Sequence, residues 1–322
     1  MPKLTLVRGA RQLLTLRGPS APRRGADLQN PGIIQDGAVL IADGMIAEVG
    51  PSRRIENLRA ARGAQEIDAS GNVVMPGFVD SSVQLIPSGQ EHSPRSLTLL
   101  ALHRMEEVIG YGTTACEAKT PLLLGQAPAM KILRVQAALR DLPITMVSTL
   151  VTSDRLLLGM PRIRKLVDFV EICGDDPALF AQARQVGWNL KPRIVEVLSP
   201  LRSFLLGESY PPARAFIDRG DAIALASGGS PANMLLTIAL ACRGMNMTPA
   251  EAIAASTING AHAIGRPESV GSIEAGKSAD LVVLGVPDYR ELPYHFGVNL
   301  VKLVMIRGTV RVEKAEVQWP AR

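Results

Sequence analysis

A long alternation of strand-like and helix-like segments, flanked on both sides by strand-like segments alone, constrains the fold of this sequence most. Between about residues 73 and 265, short apolar and β-branched runs alternate with amphipathic stretches of helical spacing. This pattern is typical of a parallel sheet, in either a barrel or a doubly wound arrangement. Residues 1–75 and the region from 270 carry strand and turn signals only. We therefore predict one β domain built from both ends of the chain, with an α/β core inserted between them.

The α/β core contains six candidate strands, whereas a complete (β/α) barrel has eight. They lie near residues 73–82, 113–119, 143–152, 166–173, 189–198 and 222–227. Local signals mark some of the other elements, including Ser93 or Ser96 as a helix cap and Gly187 as a helix stop. We also predict a single helix over residues 248–265 and a tight hairpin turn at Asp43-Gly44.

Composition narrows the class of protein. Among 322 residues, 47% are hydrophobic and 20% are charged, which is typical of a globular chain. Aromatic residues make up only 4%, and a net charge of +5 is spread along the chain, so a nucleic-acid partner is not expected. The apolar runs are too short for a membrane span, and no signal-peptide pattern is visible. Three cysteines without a CxxC pair favour a reducing compartment, and we predict a cytoplasmic protein.

Histidines are few and scattered. His92, His103, His262 and His295 form no HxH or HxxxH pair, which argues against a histidine-rich metal site. His262 lies among small residues, and we expect it to be packed in the core. The GxSxG elbow and the phosphate-binding glycine motifs are absent. The run SGGSP at 227–231 favours a plain loop over an anion site at a helix start.

Several segments, taken in order, resemble a known family. MPGFVD, TPAEAIAASTINGAHAIG and GSIEAGKSADLVVL are similar to the amidohydrolase superfamily. Within that superfamily, three further segments resemble imidazolonepropionase, which opens the imidazolone ring in histidine degradation: YGTTACEAK, ARAFIDRGDAIALAS and PDYRELPYHFGVN. The resemblance implies a composite β-sandwich around a metal-dependent (β/α) barrel that hydrolyses a cyclic amide C–N bond.

The same resemblance implies a shortened barrel. We predict a truncated TIM-like barrel of about six strands over residues 76–269, and a small β-sandwich formed by residues 1–75 and 270–322. Family members are longer, and gaps are implied after Gln84–Ser88 and around Pro192–Val197. About two βα units are then missing. The start of the family's fifth strand would be fused to the end of its seventh.

The family's metal-ligand positions hold other residues in this sequence. The histidine positions after the first strand are Ser82 and Gln84, the fifth-strand histidine position is Arg193, and the final aspartate position is Gly228. A serine hydroxyl and a glutamine amide are weak ligands for zinc or iron, and arginine carries a fixed positive charge. The family metal supplies hydroxide by lowering the pKa of bound water. We predict no metal and no other cofactor in this chain.

Five polar residues remain as candidates for a residual pocket: Asp80, Glu117, Lys119, Arg193 and Glu196. Glu117 and Lys119 match the family's Glu-x-Lys and form either a retained polar pocket or an ion pair. Arg193 either replaces the charge of the lost ion or binds an anion. Glu196 is the family's acid–base glutamate if it belongs to the fifth strand, and an ordinary strand residue if it belongs to the seventh, which we favour. For Asp80 we expect a capping or salt-bridging carboxylate.

Three functions follow from the resemblance and its departures, and none assigns a catalytic residue. The favoured hypothesis is an inactive family member with a structural or regulatory role, as a homodimer or paired with an intact homologue. A second hypothesis is an active hydrolase of non-peptide C–N bonds that works without the usual metal site. A third is a small-molecule binding protein that uses the residual pocket.

Overall fold

Strands from the two ends of the chain meet in one mixed sheet, and the strands between them run parallel in two smaller sheets. The computed structural model describes residues 3–86, 92–121, 125–155, 161–229 and 231–313. Parts of three predicted regions therefore lie outside the described residues: the outer ends of the predicted β domain (1–2 and 314–322), the segment at the predicted gap after Gln84–Ser88 (87–91) and Ser230 of the SGGSP run.

The strands, in chain order, are β1 Leu4–Leu14, β2 Ile33–Ala42, β3 Met45–Pro51, β4 Gln65–Asp68, β5 Val73–Pro76, β6 Phe78–Val83, β7 Thr113–Lys119, β8 Thr145–Thr152, β9 Phe169–Ile172, β10 Glu196–Leu198, β11 Ile223–Leu225, β12 Leu281–Leu284, β13 Val301–Ile306 and β14 Thr309–Glu313. The helices are α1 Ser52–Glu56, α2 Pro94–Gly110, α3 Gln126–Ala138, α4 Pro161–Arg164, α5 Pro177–Val186, α6 Pro200–Leu206, α7 Ala213–Asp218, α8 Met234–Gly244, α9 Pro249–Ala255 and α10 Ile258–Ala263. Short 3₁₀ helices lie at Gly25–Gln29, Arg59–Ala61 and Tyr289–Tyr294.

The mixed sheet joins the beginning of the chain to its end. Its strand order is β14-β13-β12-β5-β1-β2-β3, and β4 pairs with β1. The junction is the antiparallel pair β5–β12, in which Val74 lies opposite Val283. Both ends of the chain therefore contribute to one sheet, as their strand-like patterning predicted, while the exact domain boundaries stay a prediction.

Two hairpin turns of this sheet contact each other. Asp43 and Gly44 have φ values of 49° and 82°, as a tight turn of the predicted kind requires. A Cβ on Gly44 would lie 2.7 Å from the carbonyl oxygen of Arg307, in the turn between β13 and β14. The sheet thus curls until its first and last hairpins touch.

The α/β core contains parallel strands close to the predicted positions. β6, β7, β8 and β9 form one sheet, and β10 pairs with β11 in another. Leu190 forms a single parallel bridge with Val170 of β9, and the chain then crosses to β10. One continuous strand over 189–198 is therefore wrong, because the segment leaves β9 at Pro192, which has no backbone N–H to donate.

The predicted strand over 73–82 is two strands, β5 and β6, divided at Gly77. A Cβ at Gly77 would lie 2.2 Å from side-chain atoms of Thr114, so the bend there requires glycine. β5 belongs to the mixed sheet, and β6 belongs to the four-stranded parallel sheet. Between them the chain passes from one part of the fold to the other.

The single helix predicted over 248–265 is also wrong, since α9 and α10 are separated at Ser256 and Thr257. Thr257 has φ −132° and ψ −94°, which is outside the helical region. The break lets the carbonyl oxygen of Ser256 accept a hydrogen bond of 2.8 Å from the backbone N–H of Val79 in β6. Contact with β6 has overridden the helical pattern of the sequence.

The main core is shared between the two parts of the fold. Phe78 of β6, Met105 of α2 and Val282 of β12 are at most 2% exposed and belong to one apolar cluster. Burial of such side chains contributes roughly 1.5–3 kcal/mol each. Within the described ranges, no helix combines the length and apolar character that a membrane span needs.

Candidate functional site

A polar cleft of about 370 Å³ lies between β9 and β10, where the chain crosses from one parallel sheet to the other. Apolar residues such as Ile172 and Phe180 form part of its wall. Its polar lining consists of Ser82, Lys119, Glu171, Lys191, Arg193, Glu196 and Ser199. The cleft thus includes three of the five predicted pocket residues, and two of the four predicted ligand positions.

A buried ion pair lies beneath the cleft. The Glu117 carboxylate in β7 is fully buried, and Oε1 accepts a 2.6 Å hydrogen bond from Thr149 Oγ1. Its other oxygen accepts a hydrogen bond from Nζ of Lys191, whose side chain is only 8% exposed. Burial lowers the pKa of Lys191 below its ordinary value, although the charge of Glu117 opposes this. Because both charges are shielded from water, each depends on the other for compensation.

A second ion pair lies beside the first. Lys119 Nζ donates a 2.6 Å hydrogen bond to Glu171 Oε2, and the two side chains are 18% and 30% exposed. Burial alone would lower the pKa of Lys119, but the charges of Glu117 and Glu171 outweigh it and raise that pKa. Burial alone would raise the pKa of Glu171, but Lys119 holds it below the usual range. Both groups therefore stay ionised over the neutral pH range.

One of the two sequence interpretations supposed that Glu117 and Lys119 form an ion pair with each other. In the structure they do not. Each binds a partner from a different strand or loop, which sequence reasoning missed. The signals for these partners were weak. Glu171 is the one charged residue in the strand FVEI, and Lys191 directly precedes Pro192 and Arg193. Side chains of residues i and i+2 lie on the same face of a strand, but spacing does not reveal partners on neighbouring strands.

Asp80 connects the ends of β6 and β11. Its carboxylate is fully buried and accepts hydrogen bonds from the backbone N–H of Ser227 at 3.0 Å, from the Ser227 hydroxyl at 2.5 Å and from the backbone N–H of Ser82 at 3.2 Å. Burial raises the pKa of Asp80 to about 6, against the opposing effect of the Ser227 hydrogen bonds. Among the described residues it forms no salt bridge, so its observed contacts are those of a capping carboxylate.

The predicted ligand positions do not assemble a metal site. Ser82 and Gly228 are adjacent, with the Gly228 N–H donating 3.0 Å to the Ser82 carbonyl oxygen. Gly228 has φ +72°, and a Cβ there would lie 2.7 Å from Cβ of Ser199, so a ligand side chain has no room. Arg193 donates a 3.1 Å hydrogen bond to the Ile172 carbonyl oxygen. Gln84 is half-buried, and its backbone carbonyl accepts a 3.0 Å hydrogen bond from Arg104.

The charges around these positions are unsuited to a metal ion. Two nearby carboxylates are already bound by ammonium groups, Glu171 by Lys119 and Glu117 by Lys191. Arg193 adds a fixed positive charge that would repel a metal ion. In the part of the chain that the structure describes, no group of three or more His, Cys, Asp or Glu side chains is placed to hold an ion. The residues present therefore do not fit the zinc or iron that the family resemblance implies.

Glu196 lines the cleft, whereas His262, which was predicted to be packed in the core, does not. Glu196 begins β10, where its backbone N–H bonds to the Ala222 carbonyl oxygen at 2.8 Å and its pair is Ile223. That it belongs to the family's seventh strand stays a prediction. His262 is 7% exposed in α10, and its Nε2 atom has no hydrogen-bond partner among the described residues. It is not among the residues that line the cleft.

Comparisons with known sequences identify relatives along nearly the whole chain. The model of the amidohydrolase family matches residues 159–311. Imidazolonepropionase of Parabacteroides distasonis is 31% identical, with 94% of this chain and 97% of the relative covered. Imidazolonepropionase of Geobacillus kaustophilus is also 31% identical, with 97% and 98% covered. The first alignment extends over 406 positions, more than the 322 residues here, so that relative has segments with no counterpart in this chain.

Solved structures with the same fold are more distant in sequence. A triazine hydrolase variant has a TM-score of 0.72 at 18% identity, covering 97% of this chain and 95% of the other. Guanine deaminase of E. coli has a TM-score of 0.69 at 15% identity, covering 97% and 100%. At these identities the likeness concerns the fold, which is α/β with parallel strands and a mixed sheet.

Proposed function

The chain belongs to the imidazolonepropionase-like amidohydrolases, and from this membership we propose that it is a family member without hydrolase activity, with a structural or regulatory role. The observation that carries the proposal is the residue set at the family's metal-ligand positions: Ser82, Gln84, Arg193 and Gly228. None of these side chains supplies the imidazole or carboxylate lone pair that zinc or iron prefers.

The surroundings of these positions support the proposal. The Lys191 ammonium already compensates the buried carboxylate of Glu117, so that carboxylate is not available to a metal ion. At Gly228 the close approach of Ser199 excludes an aspartate without movement of the backbone. Without the metal, water of ordinary pKa would have to attack the cyclic amide unaided.

A metal measurement and an activity assay test this directly. We expect the purified chain to contain zinc and iron far below one equivalent by elemental analysis, and to hydrolyse imidazolone propionate at the uncatalysed rate. Imidazolonepropionase of Parabacteroides distasonis, prepared in parallel, serves as the positive control. Stoichiometric metal, or turnover above background that survives further purification, would contradict the proposal and favour the active-hydrolase hypothesis.

A restoration experiment tests the structural argument separately. We expect the variant S82H/Q84H/R193H/G228D to remain without stoichiometric metal, because residue 228 has no room for a carboxylate and Lys191 still occupies Glu117. Recovery of one metal equivalent in this variant would show that the surroundings still accept an ion and that the steric argument is wrong.

For the structural or regulatory role we propose self-association or pairing with an intact homologue in the cytoplasm. The reducing location is supported by Cys116, Cys173 and Cys242, which are free thiols. Co-expression with a tagged intact homologue, followed by mass determination of the purified species, tests the pairing. A lone monomer at micromolar concentration, with and without the homologue, would overturn the oligomeric part of the proposal.

A further inference from the structure

We propose that the cleft between β9 and β10 binds a small zwitterion, whose carboxylate is bound by Arg193 and whose ammonium group is bound by Glu196. The inference rests on the proposed function only in taking the cleft to be free of a metal ion. Its basis is the distribution of paired and unpaired charges along the cleft.

Most charges of the cleft are already paired within the protein. Lys119 binds Glu171 at 2.6 Å, and Lys191 binds Glu117 beneath the cleft. Arg193 and Glu196 line the same cleft, and across the described ranges neither forms an ion pair within 4 Å. One positive and one negative side chain are thus left to a ligand.

Arg193 is an exposed residue, and its guanidinium is only partly used for contacts within the described residues. It donates one hydrogen bond, of 3.1 Å, to the carbonyl oxygen of Ile172 at the end of β9. A guanidinium has five N–H donors in a planar fork that matches a carboxylate. The neighbouring carboxylate of Glu171 is already bound by Lys119, although the charge of Arg193 still helps to lower its pKa. A ligand carboxylate therefore finds free donors at an anchored cation.

Glu196 supplies the opposite charge a short distance away. Its backbone is fixed by the hydrogen bond to Ala222 at the start of β10, and its side chain is exposed. Three residues of extended chain span at most about 10 Å, which limits the separation of the Arg193 and Glu196 backbones. The volume of about 370 Å³ falls at the lower end of ordinary ligand pockets, so the occupant is small.

The near balance of charge selects the class of ligand. A multiply charged anion such as phosphate would meet Glu171 and Glu196 as well as the cations. A simple amine would meet Lys119, Lys191 and Arg193. A molecule with a carboxylate at one end and an ammonium group at the other matches both unpaired side chains.

Calorimetric titration of the full-length protein with a graded set of small molecules tests the proposal. The probes are glycine, 3-aminopropionate, 4-aminobutyrate and 6-aminohexanoate, with butyrate, butylamine and inorganic phosphate as singly functional or anionic controls. We expect at least one amino acid of the series to bind about tenfold more tightly than butyrate and butylamine, because it makes two charge-assisted contacts where each control makes one.

Variants assign the two contacts. We expect Arg193→Gln and Glu196→Gln each to weaken binding of the preferred amino acid about tenfold. Glu196→Gln should leave the weak binding of butyrate unchanged. Arg184→Gln on α5 and Glu208→Gln after α6 are exposed residues outside the cleft lining and serve as matched controls that should not change affinity.

Three results would overturn the inference: no binding of any probe at millimolar concentration, butyrate or phosphate binding as tightly as the amino acids, or unchanged affinity in both cleft variants. These results leave the proposed function intact. Conversely, metal and hydrolytic turnover would overturn the proposed function without deciding whether Arg193 and Glu196 bind a zwitterion, which the titration measures on its own.

Discussion

The carboxylate of Glu117 has two partners, the hydroxyl of Thr149 and the ammonium of Lys191. Lys191→Met removes the one cation that binds this carboxylate among the described residues, and leaves a fully buried charge. We expect this change to lower the free energy of unfolding by about 3–5 kcal/mol. The measurement is urea unfolding followed by circular dichroism.

Lys119→Met is the matched control, because its partner Glu171 is 30% exposed and water can replace the lost ammonium. We expect a smaller loss, on the order of 1 kcal/mol. The double variant K191M/E117Q should recover much of the stability, since it removes the stranded charge. Equal losses for the two lysines would show that burial does not distinguish the pairs.

His262 gives a pH-dependent contribution to stability. Burial, together with the charges of Lys277 and Arg23, lowers its pKa below the ordinary value of 6.5. Between the folded pKa and 6.5 the unfolded state binds more protons, so stability rises with pH in that window and is lost as pH falls through the folded pKa. We expect His262→Met to flatten this slope when unfolding is measured between pH 5 and 8.

His103→Met provides the comparison, because the His103 side chain is 68% exposed. In this variant the free energy of unfolding should change with pH as steeply as in the unchanged protein. If the two variants show the same pH dependence, the slope comes from other groups, and the assignment to His262 fails.

At the residue scale, the sequence singled out individual polar residues but not the partners that they bind. Asp80, Glu117 and Lys119 were found because each stands in a motif of the family, and Arg193 because it stands where a ligand is expected. Their partners could not be found in this way. Which lysine reaches Glu117 depends on how β7 and the segment after β9 lie in space, and a one-dimensional pattern does not contain that distance.

At the scale of elements, the turn after β11 is held closed by tertiary contact. Gly228 has φ +72°, and its Cβ would approach Ser199 at 2.7 Å and Arg202 at 3.0 Å. We expect Gly228→Asp to lower the free energy of unfolding by about 2–4 kcal/mol, from overpacking added to a left-handed backbone. Thermal or urea unfolding measures the change.

Gly207→Asp separates the two causes. Gly207 has φ +68°, close to that of Gly228, but nothing lies within 4 Å of its Cβ position. Aspartate tolerates the left-handed region, so we expect a loss of about 1 kcal/mol or less. A loss at Gly228 no larger than at Gly207 would mean that Ser199 moves aside easily, which would weaken the steric argument against a ligand there.

The elements themselves were predictable in position but not always in continuity. Strand and helix periodicity placed the core strands within a few residues, and Ser93 accepts the capping hydrogen bond from Ser96 N. The breaks at Gly77, Pro192 and Ser256–Thr257 were missed. At Ser256 the cause is a distant neighbour, Val79, and the local sequence alone favours an unbroken helix. At Gly77 the local sequence does carry a break signal, the dipeptide Pro76-Gly77, and the close approach of Thr114 explains why glycine is required there.

At the scale of the whole molecule, the contact between the first and last hairpins fixes the curl of the mixed sheet. We expect Gly44→Ala to cost more than the roughly 1 kcal/mol of a left-handed alanine, because its Cβ would lie 2.7 Å from the Arg307 carbonyl oxygen. Gly71→Ala has a similar φ of +77° with nothing within 4 Å, and should show the backbone cost alone. The difference between their free energies of unfolding measures the contact.

The sequence predicted the architecture at this scale, since strand patterning at both ends implied a shared β domain. It did not predict which strands are neighbours. The pairing of β12 with β5, and of β4 with β1, depends on side-chain packing between segments about 60 to 210 residues apart. Spacing along the chain gives no signal for such pairings.

The pairing of β5 with β12 has a consequence for how the protein is made. β5 ends at Pro76, and its neighbour begins at Leu281, so on the ribosome the edge of β5 waits for more than half the chain to be synthesised. An unpaired strand edge is a template for association with other chains. The nascent protein therefore passes through a long interval in which that edge has no final partner and is open to association with other chains.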